Sequence, residues 1–551
     1  MAEADIDTDV LVIGGGLAGL RAAIAARIAG ARVAVAVKGK LGRSGCSAMT
    51  TAGYAAALPG LGLGDSYETY VADTLRGGAR VGDPGLVEIL CREAEGEIGR
   101  LEQIGARFQL DGDRYRLSLS GDHSRPRVLV TSNNLGTDLT IPLAKHLESL
   151  GIRKLEFTMA VELLAGDDGV CGAVCLDLKE NTFLTVRAGA TIVATGGAGR
   201  LFSVTSNPND VTGDGFALAA GVGAQLRDME FIQFYPWRCI DPFDKARVSI
   251  QPSTFVLGAR LYNSRGERFM ESFNPAGAEV STRDIGARGI FDQIRRGLGI
   301  DGGVRLDLSP LGREDFERSN PKVAKYLKAK DIDYARYPFI VSPEAHFWMG
   351  GLTIDGAGTT SIRRLFAAGE TAGGIHGANR LNSNALPDTQ VFGARAGARA
   401  ADVARSGVRQ RGGGASQDWN DFGRGGKGLS ESELAAHLAT LRARMWASLG
   451  IIRGAKTMQG GRDYVRMLRE ELTNRGSDGA LRPWIELCFL CEVADLSLTS
   501  ALFREESRGA HYRDDFPHVD DARWRGSVVI ERGGGGELSA SLLPARIKDA
   551  A

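Results

Sequence analysis

The chain has 551 residues and no formal net charge, because 67 Lys and Arg balance 67 Asp and Glu; this argues against general nucleic-acid binding or an anionic membrane surface as partner. Its length predicts several domains or one composite fold, and its 43% hydrophobic content argues against a disordered chain. Glycine accounts for 74 residues, about twice its usual share, which predicts backbone segments that approach ligands closely.

The N-terminal segment predicts a βαβ unit. Residues 10–13 and 32–37 are apolar strands, and residues 17–29 between them have helical periodicity. A Gly-x-Gly-x-x-Gly turn joins the first strand to the helix, which is the context in which this motif binds a dinucleotide.

The three glycines of this turn have separate tasks. Gly14 allows the tight turn, Gly16 lets the backbone approach a pyrophosphate, and Gly19 lets the helix pack on the strand. The helix N-terminus adds unpaired N–H groups and a positive dipole end. A tight turn without a ligand is the alternative. Lys38 stands where an acid usually binds a ribose hydroxyl, so that acid is missing here.

Two later segments repeat the strand-and-glycine form, at residues 190–199 and 363–374. A parallel sheet interrupted by a long insertion would bring these segments beside the N-terminal strands. The insertion runs from about residue 235 to about residue 347. A Gly/Arg-rich stretch after Ser406 is typical of a linker.

The C-terminal part is predicted to be helical to about residue 507. Ser430 and Glu433 have the spacing of a capping box at its start. Cys488 and Cys491 lie in an apolar helical pattern, where small core residues are the favoured interpretation over a metal or redox role. No second Cys-x-x-Cys and no cluster-type run of cysteines occurs, so we predict no metal site.

The termini and hydropathy carry no targeting signal. The first ten residues are acidic rather than leader-like, and no 18-residue apolar run is free of charge. We therefore expect a soluble protein of a reducing compartment, without a transmembrane segment.

Ten motifs occur in the order of a known family, and the resemblance that they carry spans residues 9 to about 517. They include IVATGGAGRLF, LRDMEFIQFYP, STRD, HFWMGG, LFAAGE, HGANRLNSNAL and REESRGAHYRDDFP. In these segments the chain resembles the flavoprotein subunits of succinate dehydrogenase and fumarate reductase, a family that also contains L-aspartate oxidase. HGANRL and ESRGAH are specific to it, whereas the ATGG and Gly-x-Gly-x-x-Gly motifs occur in many flavoproteins.

The resemblance implies an α/β fold in three parts, with FAD at the interface of the first two. These parts are a Rossmann-like FAD-binding domain, an inserted α+β capping domain and a C-terminal helical domain. The corresponding boundaries are 1–234 and 348–405 for the FAD-binding domain, 235–347 for the capping domain, 406–429 for a linker, and 430–551 for the helical domain and tail.

The family chemistry is hydride transfer between flavin N5 and a carbon next to a carboxylate-bearing carbon. The resemblance implies that Arg283 carries the proton and that His346 and Arg380 hold the substrate carboxylate. A structural ion pair is the alternative for any one of them; three matches within specific motifs favour function.

Two departures from the family concern the other end of the substrate. Tyr235 replaces the usual His, and Gln251, Pro252 and Phe255 stand where a Thr-Glu-Gly segment and an Arg are usual. A second carboxylate then lacks its contacts, and Arg283 lacks the acidic relay that a group of such high pKa needs.

We therefore predict a substrate with an aryl, alkyl or thioester group in place of the second carboxylate. Tyr235, Trp237 and Phe255 would form the wall against that group. The alternative is an ordinary dicarboxylate, with Lys245 or Arg247 replacing the lost contacts.

Cofactor contacts are assigned through the same resemblance. Cys46 stands at the covalent His position of membrane-bound relatives, so dissociable FAD is expected and a cysteinyl link is the alternative. Glu370 is the candidate for the FAD ribose, and His376 is interpreted as structural or flavin-adjacent rather than catalytic. The predicted cofactor-binding residues are Gly14, Gly16, Gly19, Lys38, Ser44, Cys46, Gly53, Ala194, Gly196, Gly197, Asp214, Glu370, Asn384 and Leu386.

The resulting functional prediction is an FAD-dependent oxidoreductase acting on a CH–CH bond beside a carboxyl group. L-aspartate oxidase-like amine oxidation is one alternative, and an electron-transfer subunit with a decayed substrate site is another. The expected partners are a small carboxylate and an iron–sulfur or other electron-transfer subunit. The expected location is the cytoplasm or the periphery of a membrane complex.

Overall fold

The computed structural model describes residues 6–51, 53–120, 122–241, 248–406, 428–533 and 535–545. The strands in chain order are β1 Ile6–Ile13, β2 Val33–Val37, β3 Gly53–Ala55, β4 Leu110–Asp111, β5 Arg114–Tyr115, β6 Leu117–Ser118, β7 Val128–Val130, β8 Arg153–Glu156, β9 Thr158–Gly166, β10 Gly169–Asp177, β11 Thr182–Val193, β12 Leu226–Arg227, β13 Ile232–Asp241, β14 Val248–Ser249, β15 Arg260–Tyr262, β16 Val304–Asp307, β17 Phe339–Trp348, β18 Gly351–Thr353, β19 Leu365–Ala367, β20 Ala372–Gly373, β21 Gly526–Arg532 and β22 Leu538–Pro544.

The helices connect and cover these strands. In chain order they are α1 Leu17–Ile28, α2 Cys46–Met49, α3 Tyr67–Gly77, α4 Pro84–Ile104, α5 Thr137–Ser149, α6 Asp214–Gly221, α7 Ser253–Val256, α8 Met270–Phe273, α9 Arg283–Arg295, α10 Arg313–Ser319, α11 Pro321–Ala329, α12 Ala385–Ser406, α13 Glu431–Ser448, α14 Ala455–Arg475, α15 Leu481–Phe503 and α16 Asp521–Trp524.

The largest sheet confirms the predicted parallel core. Its order is β8-β2-β1-β11-β10-β9, and β19 also pairs with β11. The pairs β1–β2, β1–β11 and β11–β19 are parallel. The three strand-and-glycine segments of the sequence therefore meet at one edge of one sheet, where their glycine turns lie side by side.

The insertion builds a second, separate core. Its sheet has the order β14-β13-β17-β16-β15, and the chain enters through β13 and leaves through β17, which pair antiparallel. Buried aromatic and aliphatic side chains of this insertion pack into their own cluster. We call this unit the cap.

The C-terminal part begins as predicted. The Ser430 side chain accepts from the Glu433 backbone and Glu433 reaches back to the Ser430 backbone, which is a complete capping box. Helix α15 ends at Phe503, close to the predicted end of helical character. The strands β21 and β22 that follow were not predicted; β21 pairs with β12 in a sheet of order β20-β18-β12-β21-β22.

The predicted linker 406–429 lies mostly outside the described residues, and the predicted domain boundaries stay a prediction. In the part of the chain that the structure describes, no helix combines the length and the apolar character needed to cross a membrane.

Candidate active site

A cavity of about 960 Å³ extends from the glycine turn after β1 to the cap sheet. Residues of the parallel sheet line one part of it and residues of the cap line the other. Of the predicted site residues, those at its surface are Gly14, Gly16, Lys38, Ser44, Cys46, Gly53, Ala194, Gly196, Asp214, Tyr235, Arg283, His346, Glu370, Arg380 and Leu386.

The glycine turn is closely packed against the neighbouring strand. Gly14 has a φ of +116°, and a Cβ there would overlap the carbonyl of Ala194. A Cβ at Gly19 would overlap the carbonyl of Gly14, so Gly19 permits the close packing of α1 that its position predicted. Helix α1 begins after Gly16 without a side-chain cap, and the Leu17 N–H donates to Ser47 Oγ at 3.1 Å. This helix end is a site for an anion.

Lys38 forms ion pairs with two carboxylates beside the cavity. Its Nζ lies 3.0 Å from Asp214 and 3.0 Å from Glu486, and it donates to Thr212 Oγ1 at 2.7 Å. Burial acts to lower the pKa of Lys38, but the two carboxylates outweigh it and the pKa is raised. Lys38 therefore orients Asp214 and ties the C-terminal helix α15 to this wall.

Glu370 is a buried carboxyl group at the cavity surface. Its Oε1 accepts from the Trp348 N–H at 2.9 Å, and a Cβ at Gly197 would overlap it. Burial raises the pKa of Glu370 to about 7, against the lowering effect of the backbone donors and Arg380. A group that donates to this carboxyl, such as a ribose hydroxyl, would favour the charged form.

The segment before β3 closes another side of the cavity. Ser44 Oγ donates to the Lys40 carbonyl at 3.0 Å, and Cys46 lines the cavity at the start of α2. Asn384 does not reach it: its Oδ1 accepts from Tyr70 and its Nδ2 donates to Thr74 Oγ1. The Asn384 side chain therefore points away from the cavity, contrary to the prediction that it contacts the cofactor.

These residues fit FAD. Three features together match a pyrophosphate and a ribose: a backbone turn in which a side chain would clash, a helix N-terminus whose N-cap residue Gly16 has no side chain, and a buried carboxyl group. His376 lies off the cavity, and its Nε2 lies 3.3 Å from Asp388 Oδ2.

Two arginines converge where the cap meets the parallel sheet. Arg283 is the first residue of α9, and Arg380 follows β20 in the HGANRL segment. Arg283 Nη1 donates to Gln233 Oε1 at 2.8 Å, and Arg380 Nη2 donates to the same oxygen at 3.0 Å. Gln233 Nε2 donates to the Asn379 side chain and the Arg380 carbonyl, both at 2.8 Å. One amide therefore holds both guanidinium groups together.

The two guanidinium groups are buried and incompletely paired. Arg283 also donates to Asn382 Oδ1 and lies over the Tyr235 ring, with 5.3 Å from Cζ to its centroid. Arg380 lies 4.2 Å over Phe347. Neither Nε has a hydrogen-bond acceptor among the described residues. Burial, then the charge of Arg283, lowers the pKa of Arg380 to about 9. An anion bound here would relieve that repulsion.

His346, on strand β17, lies beside the two guanidinium groups. Its Nδ1 lies 3.0 Å from Ser206 Oγ. Desolvation of the ring, together with the charges of Arg283 and Arg380, holds the pKa of His346 well below its usual range. This lowering favours the neutral ring, which can donate one N–H hydrogen bond to a carboxylate but adds no charge.

Tyr235 is the only one of the three predicted wall residues at the cavity surface. Its hydroxyl donates to the Ile250 carbonyl at 2.6 Å. Trp237 and Phe255 pack against each other in the cap core, with 4.5 Å between ring centroids and an angle of 35° between the ring planes. The prediction that Trp237 and Phe255 line the substrate pocket is wrong. Lys245 and Arg247, the predicted alternative contacts, lie outside the described residues.

Sequence reasoning missed five polar residues of this site: Ser47, Ser206, Gln233, Glu344 and Asn382. Each lines the cavity or bonds a residue that does. Gln233 lies between Ile232 and Phe234 on its strand, and Glu344 lies between Pro343 and Ala345. A buried polar side chain between apolar neighbours requires a partner. That signal was present in the sequence.

Two protein-family models match the chain, one over its FAD-binding and cap segments and one over its C-terminal part. The FAD-binding domain family matches residues 9–386, and the fumarate reductase flavoprotein C-terminal family matches residues 438–548. One subunit of the fumarate reductase (CoM/CoB) of Methanothermobacter marburgensis is 36% identical over 96% of this chain and 97% of its own. An L-aspartate oxidase of Nostoc sp. is 34% identical over 95% of this chain and 93% of its own.

A solved structure agrees over the full length. A variant of the quinol fumarate reductase flavoprotein FrdA of E. coli has a TM-score of 0.88 and 27% identity, and the match covers 99% of this chain and 98% of that one.

Proposed function

The chain belongs to the flavoprotein family of the fumarate reductase subunits and L-aspartate oxidases, and from that membership we propose that it reduces or forms a carbon–carbon double bond beside a carboxyl group of a substrate other than a simple dicarboxylate. It is an FAD-dependent oxidoreductase of the fumarate reductase and succinate dehydrogenase type. The substrate and the roles of individual residues are the proposed part.

FAD, when bound, supplies a hydride acceptor or donor at its N5 atom. The turn at Gly14 and Gly16 and the start of α1 would hold the pyrophosphate, and Glu370 would hold the ribose. Asp214, oriented by Lys38, would contact the chain between them. The close approach that Gly14 and Gly197 permit supports this assignment.

Arg380 and His346 would bind the carboxylate next to the reacting carbons. Arg380 is charged and its Nε has no acceptor among the described residues, so it can present two N–H groups to one carboxylate. His346 adds a neutral N–H donor. Charge that builds up on the carboxyl oxygens during reaction would be stabilised by the same groups.

Arg283 would move the proton. Gln233 and Asn382 accept from its two Nη atoms, which fixes the plane of the guanidinium and leaves Nε for the substrate. A positioned proton carrier of this kind contributes about 10²–10⁴-fold to rate. The convergence of Arg283, Arg380 and His346 on one cavity also opposes a decayed site, because a site without selection has no reason to keep two like charges buried together.

The observation that carries the substrate proposal is the hydrogen bond from the Tyr235 hydroxyl to the Ile250 carbonyl, at 2.6 Å. Because the Tyr235 hydroxyl hydrogen is already donated to this carbonyl, Tyr235 presents its aromatic ring to the substrate and not a hydrogen-bond donor. Burial raises the pKa of Tyr235 further above its usual range, which keeps the ring neutral. A neutral or apolar group suits this wall better than a second carboxylate.

The test is steady-state turnover of the holoenzyme with a reduced dye and a panel of unsaturated acids. We expect higher kcat/KM for aryl- or alkyl-substituted enoates and for monoesters than for fumarate. Fast turnover of fumarate alone, lost on replacement of Lys245 and Arg247 by Ala, would support the ordinary dicarboxylate instead.

L-aspartate oxidation is the second candidate, because L-aspartate oxidases are among the similar proteins and the same cationic group could hold an amino acid carboxylate. Ammonia release from L-aspartate by the oxidised holoenzyme distinguishes it. We expect none above the rate of the Arg283→Ala variant.

A separate protein would exchange electrons with the flavin. The similar protein of M. marburgensis is named as one subunit of a fumarate reductase, which supports a partner that transfers electrons. We expect the reduced holoenzyme to be reoxidised faster by a low-potential iron–sulfur protein than by oxygen. Faster reoxidation by oxygen would favour an oxidase.

A further inference from the structure

We propose that Asp122 and His123 are positioning residues for the proton carrier Arg283, and that they act by holding the backbone of Asn382. Neither Asp122 nor His123 lines the cavity, so both act from behind its wall. This inference rests on the proposed function, since it concerns the group that would carry the proton.

Asn382 is held at three points. Its backbone N–H donates to Asp122 Oδ2 at 2.7 Å, and its carbonyl lies 2.8 Å from His123 Nε2. Its side-chain Oδ1 accepts from Arg283 Nη2. Ser120 Oγ donates to the other oxygen of Asp122 at 2.9 Å. Both peptide groups that flank the Asn382 Cα atom are therefore fixed by two adjacent residues, and the amide that reaches Arg283 starts from a fixed point.

The segment that carries Asn382 needs such contacts. The next residue, Ser383, has a φ of +64°, a left-handed conformation that is unfavourable for a residue with a side chain. A backbone of this kind persists where the surrounding structure holds it on several sides. The Ala55 N–H donates to the Ser383 carbonyl at 3.1 Å, and Asp122 and His123 hold the residue before it.

A buried ion-pair group anchors His123 from the other side. Arg127 Nη1 lies 3.4 Å from His123 Nδ1. The Arg127 side chain is fully buried, and it pairs with Asp65 at 2.7 Å and with Asp73 at 2.8 Å. The imidazole therefore lies between a guanidinium that two carboxylates hold in place and the backbone that it positions.

The two neighbours of the ring assign its tautomer. The Asn382 carbonyl can only accept a hydrogen bond and the Arg127 guanidinium can only donate one, so His123 carries its proton on Nε2 and accepts at Nδ1. Burial lowers the pKa of His123, and it outweighs the raising effects of Asp122, the Asn382 carbonyl and Asp73. The neutral ring with a proton on Nε2 is the form that fits both contacts.

The consequence concerns the orientation of Arg283. Gln233 accepts from its Nη1 and Asn382 from its Nη2, so two acceptors set the guanidinium plane. Without a fixed Asn382 the guanidinium can rotate about the remaining bond, and a proton carrier loses rate when it leaves hydrogen-bond alignment. Arg380 is oriented by Gln233 instead, so proton transfer should suffer more than carboxylate binding.

The experiment measures kcat, KM and the solvent deuterium isotope effect on kcat of the holoenzyme, with a reduced dye and the unsaturated acid that it turns over fastest. In His123→Leu we expect kcat to fall about tenfold or more while KM changes by less than about threefold. The isotope effect should increase, because a misaligned carrier slows the proton step relative to the other steps. A residue that only stabilised the fold would change the amount of active protein but not the isotope effect.

Conservative substitutions at the same two positions are the matched controls. In His123→Gln the side-chain amide can donate to the Asn382 carbonyl as Nε2 does, so kcat should stay within about threefold of the unmodified protein. Asp122→Asn keeps an acceptor for the Asn382 N–H and should behave in the same way, whereas Asp122→Ala should behave as His123→Leu does. A loss in Asp122→Asn as large as in Asp122→Ala would assign the effect to the charge of Asp122 and overturn the positioning role.

Unchanged kcat and an unchanged isotope effect in both His123→Leu and Asp122→Ala would also overturn the proposal. Nitrogen NMR of the unmodified holoenzyme with labelled histidine covers the case that these two variants do not fold. The ring signal of His123, identified by its loss in His123→Gln, should be that of a neutral ring with its proton on Nε2, and a proton on Nδ1 would overturn the proposal. Absence of turnover with every unsaturated acid would instead contradict the proposed function, because the NMR result does not depend on turnover.

Discussion

Arg283 donates a hydrogen bond of 2.8 Å to the side-chain oxygen of Gln233. Because Arg380 donates to the same oxygen at 3.0 Å, a single neutral acceptor sets the distance between the proposed proton carrier and the proposed carboxylate ligand. Gln233 thus acts as a positioning residue between two groups of like charge that would otherwise move apart.

Replacing Gln233 by Leu should reduce kcat/KM for the best unsaturated acid by about 10²-fold, because both guanidinium groups lose the acceptor that aligns them. The variant should still bind FAD, since the hydrogen bonds of the Gln233 side chain go to Arg283, Asn379 and Arg380, none of which is assigned to the dinucleotide. Steady-state kinetics and the flavin-to-protein absorbance ratio measure the two effects. Gln293→Leu, at a buried glutamine that accepts from Asn263 inside the cap, is the control. A Gln233→Leu variant as active as this control would contradict the positioning role.

FAD affinity should depend on the ionisation of Glu370. Its pKa is raised to about 7 in the protein without ligand, so FAD binding at lower pH must first remove a proton. A ribose hydroxyl bonds more strongly to the charged carboxylate. The dissociation constant of FAD should therefore fall about tenfold between pH 6 and pH 8 and then level off.

Fluorescence titration of the FAD-free protein across this pH range measures the effect. Glu370→Gln cannot ionise and should show a dissociation constant without this slope. The same slope in both proteins would assign the pH dependence to another group.

FAD should be dissociable despite the cysteine at the cavity surface. Cys46 lines the cavity, so a covalent bond between its sulfur and the flavin is the alternative. Acid precipitation distinguishes the two, because only covalently attached flavin stays in the pellet. We expect a yellow supernatant and a white pellet from the unmodified protein and from Cys46→Ser alike. A yellow pellet that becomes white in Cys46→Ser would establish a covalent link.

The local features of the fold could be predicted from the sequence. The glycine turn after β1, the helix α1 and the capping box at Ser430 are each set by residues within a few positions of one another, and each was predicted where it occurs. The pairing of β21 with β12 joins residues about 300 positions apart, such as Leu226 and Ile530. Short strands of this kind show little periodicity in the sequence, so pairing with a distant segment determines whether they form.

The error at Trp237 has a specific cause. Tyr235 and Trp237 were both expected at the substrate because their side chains are apolar or weakly polar, and regular alternation along β13 would place them on one face. The pairing of β13 with β17 changes register between Tyr235 and Arg238. Such an irregularity redirects side chains, and it leaves Tyr235 at the cavity and Trp237 in the cap core.

A single-turnover experiment with dithionite-reduced holoenzyme and the unsaturated acids of the panel, followed by the visible absorbance of the flavin, tests the proposed transfer to an unsaturated acid and the proton-carrying role of Arg283. We expect rapid return of the oxidised spectrum with at least one monocarboxylate and a decrease of about 10³-fold or more in that rate for Arg283→Ala, with FAD still bound. Arg288→Ala serves as the control, since Arg288 lies on the same helix over Tyr512. Reoxidation by no unsaturated acid, or equal rates in Arg283→Ala and the unmodified protein, would contradict this expectation.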